Sequence, residues 1–213
     1  MSSALQSGDP AGVSGLRTQL AGAAEDEAER KQAFFDYLRP IVRYYNERIS
    51  DERQWLLETT GSGSLNWLER RRLRDLAEKY RIDMDTAGIE ETIELLRRRV
   101  DTVPESLVLI QAAKESGWGQ SRFAREGNAL FGQRCYRQGC GLVPGSRASK
   151  ASFEVESFDT VGESVQSYIR NLNTHERYIA MRRARQQLRE RDAEVTGTGL
   201  AAYLDDSSER GPA

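Results

Sequence analysis

The sequence predicts a mainly α-helical protein with one small β-hairpin, and two observations carry this prediction. Apolar residues recur at three- and four-residue steps, as on one face of a helix, first at Phe34, Leu38, Ile41 and Tyr45. A short run, 151–158, instead alternates apolar and polar residues, which is the pattern of a strand. Charged residues make up 30% of the chain and hydrophobic residues 38%, which is polar for a globular protein but not a disordered composition.

Length and the ends of the chain suggest three parts. With 213 residues, the chain is long enough for one domain with an appendage. Residues 1–27 are rich in Ser, Ala and Gly, which predicts a flexible leader. We expect residues 28–100 to form a helical extension and residues 101–213 the main domain. No apolar run predicts a membrane-spanning helix, and no secretory signal is visible. The protein is therefore either cytoplasmic or has lost an export segment.

Composition excludes several classes of function. Lysine plus arginine (31) nearly balances aspartate plus glutamate (33), which argues against a dedicated nucleic-acid binder. One histidine and two cysteines cannot assemble the usual zinc ligand sets, so we expect no metal and no cofactor. His175 is the only candidate base for a Ser-His-Asp mechanism, but we expect it to cap or buttress a helix end. The arginine runs 70–72 and 97–99 are typical of solvated helix faces. We expect the basic stretch 181–191 to be a solvated helix face as well, although its positive charge would also suit binding to an anionic polymer.

A proline, a loop segment and a capping residue predict where the helices of the extension begin and end. Pro40 is expected to kink or briefly end the first helix, which then breaks at the loop 59–64. Asn66 predicts the cap of a second helix, and a third spans about 88–100. The apolar residues expected on the second helix are Trp67, Leu68, Leu73, Leu76 and Ala77.

The next helix is the one that we expect to carry the chemistry. Thr102 as a cap and Glu105 three residues later predict its start, and Gly117 predicts its end. Residues 106–115 are apolar almost all round, which predicts a buried helix. Glu115 closes this helix, so burial and the negative end of the helix dipole would both disfavour its anion, as a general acid near neutral pH requires. The alternative is a last-turn glutamate that points at solvent.

Glu115 lies within a series of motifs that follow one another in a definite order: 34–42, 111–119, 121–124, 127–132, 135–140 and 167–175. The series resembles the signature of the family 73 glucosaminidases, and most closely their Bax-like bacterial branch. These are peptidoglycan hydrolases with a lysozyme-like helical fold. The resemblance covers roughly Arg30 to the C-terminus and implies that fold for the main domain.

The resemblance implies that Glu115 is the catalytic acid. It would protonate the glycosidic oxygen of the β-1,4 bond from N-acetylglucosamine to N-acetylmuramic acid. Asn128, Leu130 and Phe131 would line the sugar cleft, with an amide for acetamido or hydroxyl groups and an aromatic wall for the ring. Core packing is the alternative for Phe131, and Trp118 is expected to pack under the catalytic helix.

Glycoside hydrolysis usually needs a second carboxylate. In the family this group lies on a β-hairpin that corresponds here to 151–158. The alternation places Glu154 and Glu156 on one face of a strand, where they face either the cleft or water. The hairpin looks shorter than in many relatives, so no position aligns cleanly with the family's second carboxylate. We favour Glu154 as this group and expect Glu156 to bind substrate. Substrate assistance by the 2-acetamido group would need no second carboxylate.

The C-terminal part departs from the family pattern. A cleft tyrosine commonly precedes the element 208–211, where this chain has Ser207. Tyr203 lies four residues before Ser207, so either Tyr203 reaches the cleft as a catalytic-site residue or the role is lost. The chain ends at Ala213, where relatives continue into a final helix, which suggests a truncated C-terminus. Tyr168 either faces the cleft as a substrate-binding residue or packs against the catalytic helix.

Cys135 and Cys140 enclose four residues, and Gly139 permits the turn that a bridge would need. Given the resemblance, we expect a disulfide, which would fit an oxidising periplasm. The prediction is therefore a periplasmic or cell-envelope, monomeric endo-β-N-acetylglucosaminidase whose partner is the peptidoglycan glycan strand. One alternative is a muramidase or lytic transglycosylase, because a single buried glutamate serves each of these. The other is a catalytically weak peptidoglycan-binding module.

Overall fold

A computed structural model describes residues 26–61, 63–145 and 153–209, with side chains up to Leu204. The described part of the chain forms eight α-helices, one 3₁₀-helix and a three-stranded antiparallel sheet. The mainly helical prediction is confirmed, whereas the predicted leader up to residue 25 lies outside the described residues. The helices are α1 (Glu27–Thr60), α2 (Trp67–Lys79), α3 (Met84–Arg99), α4 (Glu105–Ser116), α5 (Arg122–Gly127), α6 (Val161–Thr174), α7 (Ile179–Glu190) and α8 (Gly197–Glu209). The strands are β1 (Arg134–Cys135), β2 (Gly141–Leu142) and β3 (Glu154–Glu156), and the 3₁₀-helix is Glu176–Tyr178.

The chain divides into two compact units, each built from two segments. Of the described residues, unit one contains those up to Tyr44 and those between Val108 and Tyr168. Unit two contains those between Tyr45 and Leu107 and those from Ile169 onward. The predicted boundary at residue 100 does not coincide with a boundary between these units, and the division into a helical extension and a main domain stays a prediction.

Helix α1 passes through Pro40 without ending there. Proline removes one backbone hydrogen bond inside a helix, which costs about 3 kcal/mol or more. Pro40 itself is exposed, but Leu38 and Ile41 on either side of it are buried. Burial of this apolar face therefore outweighs the lost bond, and an end of the helix at Pro40 is wrong.

Local chemistry sets the start of α2. The Asn66 side chain accepts a hydrogen bond from the Glu69 N–H at 3.0 Å, and the Glu69 carboxylate accepts one from the Asn66 N–H at 2.8 Å. The predicted cap is confirmed as a reciprocal capping box. The predicted apolar set is only partly buried, because Trp67 is 70% exposed and Leu68 is also exposed. The buried members are Leu73, Leu76 and Ala77.

Helix α3 begins earlier than the sequence suggested. Its cap is Asp83, whose side chain accepts from the N–H groups of Asp85 and Thr86. Gly88, the predicted start, lies inside the helix at φ 79, ψ 175, where the helical geometry is interrupted. The glycine therefore marks a break between two helical pieces, which a pattern of apolar residues does not reveal.

Unit two is held together by arginines that are bound inside it. Arg53 donates to the carbonyls of Arg97 and Val100 at the end of α3, each at 2.8 Å. Arg182 donates likewise to the carbonyls of Leu172, in the last turn of α6, and of His175, directly after it. These arginines satisfy carbonyl groups that have no partner within their own helices.

Asp101 lies at the centre of this arginine cluster and is 2% exposed. Its carboxylate lies 3.4 Å from Nε of the fully buried Arg185 and 3.1 Å from a terminal nitrogen of Arg189. Burial lowers the pKa of Arg185 to about 10, while the charge of Asp101 acts in the opposite direction. The basic stretch 181–191 is therefore not simply a solvated face, because Arg182 and Arg185 are both buried.

The sheet of unit one has β3 at its centre, in the order β1-β3-β2. Cys135 pairs with Glu154, and Gly141 pairs with Glu156. The strand of the predicted β-hairpin is therefore the central strand of a three-stranded sheet, because β3 pairs with β1 on one side and with β2 on the other. Gly141 allows this approach, because a Cβ atom there would lie 1.8 Å from the carbonyl oxygen of Val155.

Candidate functional site

Helix α4 is amphipathic, and Glu115 lies away from its buried side. Ser106, Ile110 and Lys114, spaced by four residues, are exposed, and Glu115 next to them is exposed as well. The prediction of a buried Glu115 is therefore wrong. Ile110 is 57% exposed although it is apolar. Its presence on the exposed side is the reason why the sequence predicted a helix that is apolar almost all round. The residues of α4 that are buried with apolar side chains are Leu107, Val108, Leu109, Ala112 and Ala113.

The start of α4 also differs from the prediction, whereas its end agrees with it. The helix begins at Glu105, and the Thr102 hydroxyl accepts a hydrogen bond from Arg189 at 3.1 Å instead of capping it. Gly117 at φ 58 ends the helix in the left-handed conformation, as predicted.

A rigid turn follows Glu115. The buried Ser116 hydroxyl donates to the Ala112 carbonyl at 2.6 Å and accepts from the Gly119 N–H at 2.8 Å. The Ser116 carbonyl in turn accepts from the N–H of Ser121, which caps α5. Three successive residues, Gly117, Trp118 and Gly119, have positive φ. The backbone that carries Glu115 is therefore fixed on both sides of the turn.

Trp118 is a packing residue, as predicted, but the ring contacts that it makes are with α1. Its ring meets Phe34 and Phe35 edge-on, with ring centroids 5.9 and 5.2 Å away. The Lys31 ammonium lies 5.1 Å from the centroid of the same ring. This packing offsets the cost of a positive φ at a residue other than glycine.

Asn128 ends α5 in the left-handed conformation, with φ 50. Its amide nitrogen donates to the carbonyls of Phe158 at 2.9 Å and Asp159 at 3.1 Å. The nitrogen is therefore committed to the backbone before α6, and the amide oxygen is the part that can accept from a ligand.

The predicted apolar wall of the cleft is a packed core. Leu130 is fully buried, so its expected place on an open cleft is wrong. Phe131 and Tyr168 are also buried and stack with ring centroids 4.0 Å apart at an interplanar angle of 2°. Core packing, the alternative for Phe131, is what the structure shows, and Tyr168 packs on Phe131. Packing of Tyr168 against the catalytic helix stays a prediction.

Sequence reasoning missed Gln133, which lies beside this core. Its amide nitrogen donates to the Ser167 hydroxyl at 3.2 Å. Its amide oxygen is buried and has no hydrogen-bond partner among the described residues. A single glutamine after Gly132 carries no pattern that would have singled it out.

Glu154 is buried, and its carboxylate is bound by the turn between Cys135 and Cys140. One oxygen accepts from the Gly139 N–H at 3.1 Å and the other from the Gly141 N–H at 2.9 Å. The expectation that Glu154 faces the cleft or water is therefore wrong. Glu156 lies on the same face of β3 and is half-buried.

The predicted disulfide between Cys135 and Cys140 is present, with Cα atoms 6.3 Å apart. Both sulfurs and a Glu154 oxygen lie within 4.8 Å of one another, a distance compatible with a metal ion. The sulfurs are bonded to each other, however, so neither offers a thiolate. These three residues therefore do not fit a metal in this state.

Two other predicted residues lie in unit two. His175 caps the 3₁₀-helix, and its Nδ1 atom accepts from the Arg177 N–H at 3.1 Å, which confirms its structural role. Tyr203 lies on α8 and is 38% exposed. The side chain of Ser207 lies outside the described residues.

Comparison with known proteins gives a consistent family. A family model described as glucosaminidase, mannosyl-glycoprotein endo-beta-N-acetylglucosaminidase, matches residues 90–205, more than half of the chain. Protein bax of Escherichia coli (strain K12) is 38% identical over 182 residues, which cover 85% of this chain. The chain spans 65% of the length of that curated relative. No solved structure gives a significant match. Among the residues with described placement, no helix has the length and apolarity to cross a membrane.

Proposed function

Because the chain belongs to the glucosaminidase family, we propose that it hydrolyses the glycan strands of peptidoglycan as an endo-β-N-acetylglucosaminidase. The bond cleaved is the β-1,4 link from N-acetylglucosamine to N-acetylmuramic acid. One observation carries the proposal: within the matched region, Glu115 is an exposed carboxylate at the end of α4, directly before a turn that the Ser116 hydroxyl fixes.

Glu115 is the catalytic acid in this proposal. An exposed position suits an acid that must reach the glycosidic oxygen of a long polymer. A glycan strand that lies over Glu115 would exclude water from its carboxyl group. The fixed turn reduces the motion that would otherwise misplace the acid.

The second chemical group is assigned to Glu156 in preference to Glu154. Both oxygens of Glu154 accept backbone hydrogen bonds, so this residue positions the turn between the cysteines. Glu156 lies two residues further along the same face of β3 and is half-buried. It would activate the attacking water, with Asn128 accepting from an acetamido N–H.

The two backbone hydrogen bonds to the Glu154 carboxylate also favour a second candidate function. If no second carboxylate is available, a single acid can still act in substrate-assisted hydrolysis or in a lytic transglycosylase. The disulfide supports residence in an oxidising compartment such as the periplasm, where the protein would act as a monomer.

The products of digestion test the proposal. Purified peptidoglycan is digested with the protein, with Glu115→Gln and with Glu90→Gln, a matched control at an exposed position on α3. The products are reduced with borohydride and identified by mass spectrometry. Reduced glucosamine ends from the protein and the control, but not from Glu115→Gln, are expected. Reduced muramic ends would indicate a muramidase, anhydro-muramic ends a lytic transglycosylase, and no new ends would contradict an enzymatic role.

A further inference from the structure

The turn between Cys135 and Cys140, here called the disulfide loop, is fastened at several points. Besides the disulfide itself, the Cys140 N–H donates to the Arg137 carbonyl at 3.1 Å. The Cys140 carbonyl accepts from the Ser157 N–H at 3.1 Å. Glu154 binds the N–H groups on both sides of Cys140, as described above. The loop therefore has one well-defined conformation.

This fastening buries none of the side chains within the loop. Residues 136–139 are all exposed, and Tyr136 is 70% exposed. A loop of this kind gains nothing from packing its own side chains, so the fastening fixes what they present to solvent. An aromatic ring on a rigid loop binds a partner with little loss of conformational entropy.

The exposed charged side chains at positions 134–140 are both basic, whereas the Glu154 carboxylate beneath the loop is buried. Between Glu126 and Glu154 the sequence has four basic residues and no acidic one: Arg134, Arg137, Arg147 and Lys150. Of those described, both Arg134 and Arg137 are exposed, and the Arg134 guanidinium lies 4.2 Å from the centroid of the Phe153 ring. The partner of such a surface would be anionic.

We propose that Tyr136 and Arg137 of the disulfide loop form a binding site for the anionic glycan strand of peptidoglycan. The Tyr136 ring packs on the apolar face of a sugar, and the Arg137 guanidinium binds a carboxylate of a muramic-acid substituent. This inference rests on the proposed function, because it takes the same polymer as ligand. It assigns binding to residues other than Glu115 and Glu156.

Binding and cleavage can be measured separately. The full chain carrying Glu115→Gln is mixed with insoluble peptidoglycan, and the bound fraction is measured by sedimentation over a range of polymer concentrations. Tyr136→Ala is then added to this background, with Trp67→Ala as the matched control, since Trp67 is also 70% exposed. Arg137→Ala and the double variant Cys135→Ser with Cys140→Ser complete the set.

We expect Tyr136→Ala to weaken binding about tenfold, and Trp67→Ala to change it less than about twofold. Arg137→Ala should reduce the salt dependence of binding, and loss of the disulfide should weaken binding at unchanged helix content. Equal binding by Tyr136→Ala and the parent, or no binding by the parent, would overturn the inference. Digestion by the unmodified chain with no effect of Tyr136→Ala would refute this site alone, whereas Tyr136-dependent binding without digestion would refute only the proposed activity.

Discussion

The carboxylate of Glu154 accepts the backbone N–H of Gly141 at 2.9 Å, and this contact joins the central strand of the sheet to the disulfide loop. The same residue accepts the Gly139 N–H, so one side chain orders both sides of Cys140. A carboxylate whose two oxygens both accept backbone hydrogen bonds has a structural role. Glu154 therefore supports the disulfide loop, whereas the sequence analysis expected it to be catalytic.

Replacement of Gly141 should disrupt the sheet. In Gly141→Ala the new Cβ would lie 1.8 Å from the Val155 carbonyl oxygen, so β2 must move away from β3. We expect a loss of about 2–4 kcal/mol in the free energy of unfolding, measured by urea denaturation. Gly145→Ala is the control, because nothing lies within 4 Å of its Cβ position. Equal stability of the two variants would contradict the close approach of the strands.

Glu154→Gln should affect stability more than chemistry. The amide retains one acceptor but loses the charge, so we expect the free energy of unfolding to fall by about 1–3 kcal/mol. Peptidoglycan hydrolysis should stay within about tenfold of the unmodified protein, whereas Glu156→Gln should lower kcat by about a hundredfold or more. Rates from the same digestion assay measure both. A stable Glu154→Gln protein with no activity would restore Glu154 as the second catalytic carboxylate.

Asp101 should be among the most sensitive positions in unit two. Asp101→Asn leaves the buried Arg185 without its counter-charge, and the loss of one member of a buried ion pair costs about 3–5 kcal/mol. Asp85→Asn is the matched control, because its pair with Arg74 at 3.5 Å is exposed and should contribute less than about 1 kcal/mol. Thermal unfolding of both variants decides the matter, and similar Tm values would show that the buried cluster does not stabilise the unit.

Alkaline pH should destabilise the fold through Tyr80. Burial, and then the Glu52 carboxylate that accepts its hydroxyl at 3.0 Å, raise the pKa of Tyr80 above its ordinary value of 10.0. Above that ordinary value the unfolded chain releases the phenolic proton while the folded chain keeps it. Stability from this group is therefore complete at lower pH and falls by up to about 1.4 kcal/mol per pH unit as the pH rises.

Tyr80→Phe provides the comparison for this pH dependence. It removes one partly buried hydrogen bond and should be less stable by about 1–2 kcal/mol near neutral pH. Its stability should decline less steeply between about pH 10 and 11, because the unfolded variant has no such proton to release. Urea unfolding at several pH values measures both slopes, and parallel slopes would contradict the role of Tyr80.

Features fixed by neighbours in sequence were predictable. The Asn66–Glu69 capping box and the left-handed Gly117 depend on residues three or four positions apart, and both agree with the structure. The pairing of Cys135 with Cys140 was expected from a family resemblance and is also local.

Features that depend on distant parts of the chain were not predictable. The exposure of Glu115 depends on which side of α4 is covered by the rest of the fold. The sequence did not reveal the exposed side, because Ile110 on that side is apolar but faces solvent. The burial of Arg185 depends on Asp101, which lies 84 residues earlier in the chain. Glu154 is bound by a turn 13–15 residues before it, and an alternating pattern gives only the face of a strand, not what covers it.

The central claim is that Glu115 donates a proton to the leaving sugar, and a comparison of two substrates tests it most directly. The rates of Glu115→Gln and of the Glu90→Gln control are measured on peptidoglycan and on a 2,4-dinitrophenyl glycoside of an N-acetylglucosamine oligomer, whose leaving group needs no proton. The account predicts that Glu115→Gln loses about a thousandfold on peptidoglycan but less than about tenfold on the dinitrophenyl substrate. Full activity of Glu115→Gln on peptidoglycan, or the same loss on both substrates, would contradict it.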